Sequence, residues 1–370
     1  VSLLYYSVMG EGRGHAARAR AVVERLRDRH RVVLFTSHDA LSFLKKHYDA
    51  DPEVDVREIP GLKFHYTPAG IDNLKTIRLG LAFWASMGRY TRRLDKVIES
   101  ERPDLVITDF EPLAPRAARR AGVPILSLDH QHFLSTYDLS SLPRELRDWA
   151  WRMSWSIWAF GIRQERTVVS AFYKPPLRRG CEDIVQVGPL IRRAVAERQP
   201  TTGEHLLSYV RRATPQGVID RLAGLPMPVR LYGLGVRPPQ GSVTFCEINE
   251  TTFVDDLASC DAVVAAAGNQ LMGEALYFGK PVLALPERHH YEQRINATFV
   301  EQMGAGEQQI LERLSSKDLA NFLMRRETYR EHLAATRPCQ DGAAEAVGVI
   351  EAMLLKSDAS VAGAATRETA

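Results

Sequence analysis

Residues 266–275 read Ala-Ala-Gly-Asn-Gln-Leu-Met-Gly-Glu-Ala, and Gly279-Lys280-Pro281-Val282, Glu292-Gln293 and Asn296-Ala297 follow. An apolar run from Asp261 to Ala266 leads into a small-residue turn at which a helix begins. A glycine in such a turn lets backbone N–H groups approach a phosphate, and the helix dipole adds positive potential there. Glu274, further along the helix, is placed to accept hydrogen bonds from ribose hydroxyls. Glu292 and Gln293, beyond the next strand, suit the hydroxyls of a sugar. The parts stand in the order that a nucleotide diphosphate carrying a sugar needs.

A second group lies near the start of the chain. Gly10-Glu11-Gly12-Arg13-Gly14-His15 follows an apolar strand and opens a helix. A dinucleotide fingerprint needs G-x-G-x-x-G and an acid about twenty residues on. Here His15 stands where the third glycine belongs, so a dehydrogenase reading with Asp39 as the acid fits poorly. His15 is instead a candidate general base. The strand Pro103 to Asp109 ends in a carboxylate at the same kind of edge, and Asp109 bonded to one imidazole nitrogen would raise the basicity of the other. Two blander roles compete: a solvated histidine, and Asp109 as the cap of a helix starting near Pro112.

Both groups need strands that end at one edge and helices that begin there. Strands are expected at Leu3–Val8, Arg31–Thr36, Val54–Ile59, Asp104–Thr108 and Val123–Leu128, with helices at 16–29, 77–101 and 112–121. Near-continuous apolar strands alternating with helices imply a parallel sheet covered on both faces. After a polar stretch the pattern restarts, with strands at 205–210, 229–232, 243–246, 262–266 and 282–285. The chain of 370 residues therefore divides into a domain over 1–190, a linker over 191–203, a second domain over 204–340 and a helix over 341–356 that packs back on the first domain. Residues 357–370, rich in Ser, Ala and Thr, read as a loose tail.

Bulk properties exclude several classes. A net charge of +3 is too small for a nucleic-acid binder, although it suits anionic substrates or an anionic membrane surface. The four cysteines form no CxxC pair, which points to reduced thiols rather than a disulfide framework or zinc site. Neither a leader peptide nor an apolar run of membrane-spanning length is apparent, so a cytoplasmic protein is expected, with peripheral contact to the inner face of a membrane as an option.

The glycine loop Gly10 to Arg18, the strand ending in Asp109, Val187-Gly188-Pro189 and the run Gly268 to Ala297 together resemble the glycosyltransferase-B (GT-B) superfamily. The likeness is to its UDP-glycosyltransferase and MurG-like branch, and to a prokaryotic subfamily beginning GEGxGHxxR. The resemblance implies an α/β protein with two facing Rossmann-like domains, parallel sheets and an interdomain cleft. It implies a transferase that inverts the anomeric centre, uses a UDP- or dTDP-sugar and needs neither cofactor nor metal. His15 would be the base and Asp109 its partner; Gly268, Asn269, Gln270 and Leu271 would lie under the diphosphate; Glu274 would hold the ribose, and Glu292 and Gln293 the sugar. The loop from Phe245 to Ile248 would hold the base.

This chain departs from that pattern at two positions, Ala266 and Leu271, where relatives carry a phosphate-touching histidine and a hydroxyl residue. Arg211 and Arg212 are candidate replacements, and a solvated loop is the competing reading. Ala266 also stands where retaining relatives often carry a glutamate.

For the acceptor, Trp151, Trp155, Trp158 and Ile162 fall at helical spacing, with Trp149, Met153, Ile157 and Phe160 nearby. Packing onto the sheet is the simpler role; an acceptor or lipid surface is the sharper one. His130-Gln131-His132 are candidate acceptor contacts. The acceptor itself, a small molecule, a glycan or a lipid-linked sugar, is open, as is the oligomeric state. A non-hydrolysing sugar-nucleotide epimerase and a silent nucleotide-sugar binder are the alternatives, though the Gly-Thr-Arg-Pro-Glu type loop of the epimerases is absent.

Overall fold

The computed structural model of the chain describes the backbone of all residues except 12, 63–65, 68, 69, 72, 161, 162, 369 and 370. Its side chains are described except at 12, 13, 63–79, 159–162 and 357–370. Gly12, Phe160 and Ile162, singled out above, thus fall wholly or in their side chains outside the description.

The first half runs β1 (Leu3–Val8), α1 (Arg13–Leu26), β2 (Arg31–Thr36), α2 (His38–Tyr48), β3 (Val54–Glu58), β4 (Tyr66–Thr67), β5 (Gly70–Ile71), α3 (Asn73–Glu101), β6 (Leu105–Asp109), α4 (Leu113–Ala121), β7 (Ile125–Asp129), α5 (Phe133–Thr136), α6 (Arg144–Phe160), β8 (Arg166–Ser170) and β9 (Val185–Val187). Seven strands form a parallel sheet in the order β3-β2-β1-β6-β7-β8-β9. Every residue of β6 and β7 is buried, as strands covered on both faces must be.

The second half comprises α7 (Arg193–Ala196), β10 (Leu206–Tyr209), α8 (Gln216–Ala223), β11 (Val229–Tyr232), β12 (Val243–Phe245), α9 (Glu250–Ser259), β13 (Ala262–Ala265), α10 (Asn269–Tyr277), β14 (Val282–Ala284), α11 (Tyr291–Gln302), β15 (Gly306–Gln308), α12 (Ser316–Thr336) and α13 (Gly342–Glu368). Its six parallel strands are ordered β12-β11-β10-β13-β14-β15. In both sheets the chain winds one way from the first strand and then reverses past it. Crevices at such reversals collect ligands at the carboxyl ends of the strands. They lie between β1 and β6 in the front sheet and between β10 and β13 in the rear one.

The structure adds to or departs from the expected outline at three points. The linker stretch 191–203 carries α7, and Ile191 and Val195 in it are fully buried in a cluster shared by both halves. The tail does not break from the last helix, since α13 runs unbroken to Glu368; its alanines are strong helix formers and no proline interrupts it. β4, β5, β8, β9 and β15 were not among the expected strands.

The halves touch extensively. Ala343, Ala346, Val347, Ile350 and Leu354 of α13 pack into the front core beside α1. The crossing at Gly188 and Gly342 is too close for a side chain: a Cβ on Gly342 would sit 1.9 Å from the Gly188 carbonyl oxygen. Tyr173 stacks on Phe299 with ring centres 3.9 Å apart, and Trp149 on Tyr291 at 5.6 Å. Among the described residues, no helix is long and apolar enough to cross a membrane.

Candidate functional site

At the front reversal, β1 and β6 pair in register with Val8 opposite Asp109. The loop after β1 starts α1, so His15 is carried to the end of β6. His15 Nδ1 lies 3.0 Å from Asp109 Oδ2. Asp109 is completely buried, whereas the His15 side chain keeps 15% of its surface exposed. Arg18, the last residue of the glycine-loop motif and given no role from sequence, joins them: one helical turn on, it donates from Nη2 to both Asp109 oxygens at 2.9 and 3.1 Å. Burial alone would favour the neutral acid, but the Arg18 guanidinium, and then His15, hold the Asp109 carboxyl below its ordinary value.

Arg18 Nη2 also approaches His15 Nδ1 at 2.9 Å. One ring nitrogen cannot donate to a carboxylate and accept from a guanidinium together. Arg18 already has two carboxylate oxygens to serve, while the buried carboxylate gains from each donor offered to it. The Nδ1–H tautomer is therefore assigned, which leaves the Nε2 lone pair as the free, basic position.

Asp109 does not cap the next helix. Glu111 does, accepting from the backbone N–H groups of Leu113 and Ala114 at 2.8 and 3.0 Å. Burial pushes the Glu111 carboxyl up to about 7. Phe110, between the two acids, has a left-handed φ of 56°. That conformation is uncommon for a large side chain, and here it turns one acid toward His15 and the other toward the helix.

A second pair sits on the adjacent strand. Asp129, ending β7, accepts from Ser127 Oγ and from His132 Nδ1–H, each at 2.6 Å. Despite burial, His132 chiefly holds Asp129 at about 2, and Asp129 in turn raises His132 above its ordinary value. His130 is fully buried and donates Nδ1–H to the Ser170 carbonyl at 2.9 Å. Its Nε2 has no hydrogen-bond partner and points toward Glu292 of the rear half, whose Oε1 is 3.9 Å away. Burial first, and then the Arg18 cation, keep His130 neutral.

At the rear reversal, α10 begins at Asn269 with Gly268 before it and no side-chain cap. Gly268 has an ordinary extended φ of −76°, and a Cβ there would meet nothing within 4 Å. Its glycine thus matters for open space rather than for backbone conformation. The N–H groups of Asn269, Gln270 and Leu271 are those that a helix start leaves without acceptors, and none is bonded among the described residues. Asn269 is buried with both amide atoms unpartnered; Gln270 Oε1 and Asn296 Oδ1 are unpartnered too. The side chain of Leu271 packs against the shared core, so only its backbone faces the turn.

Glu274 departs from the expected open carboxylate. It is buried, and its two oxygens accept from Arg192 Nε and Nη2, both at 2.7 Å, while Gln270 donates at 2.8 Å. Arg192 also reaches Glu250 at 3.1 Å, and Glu250 pairs with Arg20 of α1. Sequence reasoning missed Arg192 because it lies in the presumed linker. Gln293 is likewise turned inward, accepting from the Glu287 N–H at 3.0 Å. Glu292 remains open, 38% exposed. Arg211 does not reach the α10 turn; it pairs with Glu287 at 3.1 Å. Ile248 is exposed beside the short strand β12. Among the described residues no three His, Cys, Asp or Glu side chains are grouped to hold a metal.

The sequence matches the family described as glycosyl transferase family 1 over residues 2–326. An uncharacterized glycosyltransferase of Methanosarcina acetivorans is 27% identical over 331 residues, covering 81% of each chain. Among solved structures, UGT89C1 of Arabidopsis thaliana complexed with UDP-L-rhamnose superposes with a TM-score of 0.67 and 15% identity, over 96% of this chain and 99% of that one. MurG of Acinetobacter baumannii gives 0.61 and 13%, over 95% and 99%. At such identities these structures speak for the fold, which is GT-B.

Proposed function

The chain belongs to glycosyl transferase family 1 and is a glycosyltransferase; from that premise we propose that it is an inverting, metal-independent enzyme using a UDP- or dTDP-sugar, with His15 as the general base. The observation that carries this reading is the 3.0 Å contact between His15 Nδ1 and buried Asp109 at one sheet reversal, opposite an uncapped helix start at the other.

The chemistry is a single displacement. His15 Nε2 takes the proton of an acceptor hydroxyl as its oxygen attacks the anomeric carbon. The carbon–oxygen bond to the diphosphate breaks from the far side, and the nucleoside diphosphate leaves with the electron pair. Asp109 supports the imidazolium that forms. Charge on the leaving diphosphate is met by the free N–H groups of 269–271 and the dipole of α10. Glu274 takes the ribose by sharing or exchanging its Arg192 partner, and Glu292, with His130 across the gap, addresses sugar or acceptor hydroxyls. The base rests in the loop near Ile248. That diphosphates are favoured over dinucleotides follows from His15 filling the front glycine loop.

The test is a melting-temperature panel of nucleoside diphosphates, since a ligand of the native form raises stability, followed by assay of free UDP or dTDP with candidate acceptors. Transfer requires diphosphate release in step with acceptor consumption. A donor inverted at C2 with its nucleotide still attached, and neither free diphosphate nor glycoside, would instead mark a non-hydrolysing epimerase.

A further inference from the structure

α6 has two faces of opposite character. At about 3.6 residues per turn, Leu146, Ala150 and Ile157 fall on one side, and Arg144, Arg147, Trp151, Trp155 and Trp158 on the other. The inner face is used: Leu146 and Ala150 are buried, and Ile157 and Trp149 pack against the shared core. The outer face is bare, with Trp151 61%, Trp155 58% and Trp158 76% exposed. Packing onto the sheet is therefore not what this stripe does. Scattered exposed apolar side chains are ordinary, but three large aromatics on one stripe mark an interaction surface.

The charges around the stripe indicate its partner. Arg147, Arg152 and Arg163 are exposed and, among the described residues, make no ion pair. The nearby acids are engaged: Glu145 by Arg294 at 2.7 Å, Glu165 by the Ile125 N–H at 2.6 Å, and Asp148 faces Arg144 at 3.7 Å. The uncompensated charge is cationic at both ends of the stripe. A second copy laid along it, parallel or antiparallel, would bring arginines against arginines. A surface of lipid phosphates would not. Tryptophan, apolar in its ring and polar at its N–H, is the side chain best suited to the headgroup boundary.

We propose that the outer face of α6 docks the protein on an anionic phospholipid surface, with the tryptophans at the headgroup boundary and the arginines on lipid phosphates. Resting on the transferase reading, this has a geometric consequence. The inner face of α6 contacts α11 through Trp149 and Tyr291, and Glu292 is the next residue of α11. The cleft mouth is then about one helix diameter, roughly 10–12 Å, from the lipid, within reach of an acceptor carried on a lipid.

The full chain would be tested with vesicles of phosphatidylcholine alone and of phosphatidylcholine with phosphatidylglycerol, by co-sedimentation and tryptophan emission. The expected result is binding and a blue-shifted emission with the anionic vesicles, reduced by high salt. A Trp151→Ala, Trp155→Ala, Trp158→Ala variant should lose binding about tenfold or more while melting like the native protein. A milder Arg147→Gln, Arg152→Gln variant should weaken binding only to the anionic vesicles. Equal binding by the tryptophan variant, no binding to either vesicle, or tryptophan-dependent dimers in solution would each overturn the proposal. None of these readouts needs a nucleotide, so their failure is separate from failure of the transferase reading.

Discussion

The two sheet reversals both saturate their buried carboxylates, but they leave different atoms open: His130 Nε2, Gln131 Oε1 and Arg18 Nε at the front, and amides around one helix start at the rear. At the front edge the buried carboxylates are saturated: Asp109 has Arg18 and His15, and Asp129 has Ser127 and His132. At the rear edge Glu274 is held by Arg192 and Gln270, while the amides around α10 are left open, with both amide atoms of Asn269 and one oxygen each of Gln270 and Asn296 unpartnered. Each buried unsatisfied group costs roughly 1–3 kcal/mol, a cost that a ligand bearing donors and acceptors in the right places can recover. Saturation holds a base in one tautomer and orientation before any substrate arrives. Openness keeps affinity in reserve for one. On the proposed function, the front edge is organised for chemistry and the rear edge for binding.

The strongest way to break that contrast is His15→Ala. Turnover should fall about 10³-fold, with nucleotide affinity unchanged by calorimetry; unaltered turnover would remove the base from the mechanism. Asp109→Asn should lower turnover about 10²-fold, and because it strands the buried Arg18 it should also lower stability by roughly 3 kcal/mol in denaturant melts. A variant that loses activity with full stability would mean that Arg18 is not held by Asp109. Glu274→Ala should weaken nucleotide binding about tenfold with little change in the chemical step. Unchanged affinity would leave Glu274 only its pairing with Arg192.

Asn269→Ala sharpens the comparison further. Removing an unpartnered buried amide should raise the stability of the ligand-free protein by about 1 kcal/mol while lowering nucleotide affinity; a loss of stability would show that the amide is satisfied without ligand. The smallest effect is pH-dependent. Protonated His132 is stabilised by Asp129, so that contribution is complete below about 6.5 and fades as pH rises through the raised folded value. On the acid side it is lost between the ordinary 3.8 of Asp129 and its folded value of about 2. His132→Asn should flatten the alkaline limb of a stability–pH profile. An unchanged limb would assign it to another group.

The expected strands were legible because most are short apolar runs, and a parallel sheet buries such runs on both faces. Asp109 was legible because it closes a strand, and His15 because it stands in the first turn of the helix that follows one. Glu111 as the cap of α4 was not, since two acids two residues apart are equivalent until the φ of Phe110 turns them apart. Arg192 was hidden because polarity marks a linker, whether its charges face water or, as here, a buried carboxylate.

The amino-acid order by itself determined two strand–helix sheets, the residues at their carboxyl edges and the order of the proposed donor-site parts, because periodicity and turn chemistry act over neighbouring residues. Only the tertiary structure decided that Arg18 completes the His15–Asp109 pair, that Arg192 occupies Glu274, and that the tryptophan stripe of α6 faces outward. Helical spacing says that a face is apolar and a charge says that it needs a partner. What covers the face or meets the charge comes from segments far away in the chain, and only folding brings them together.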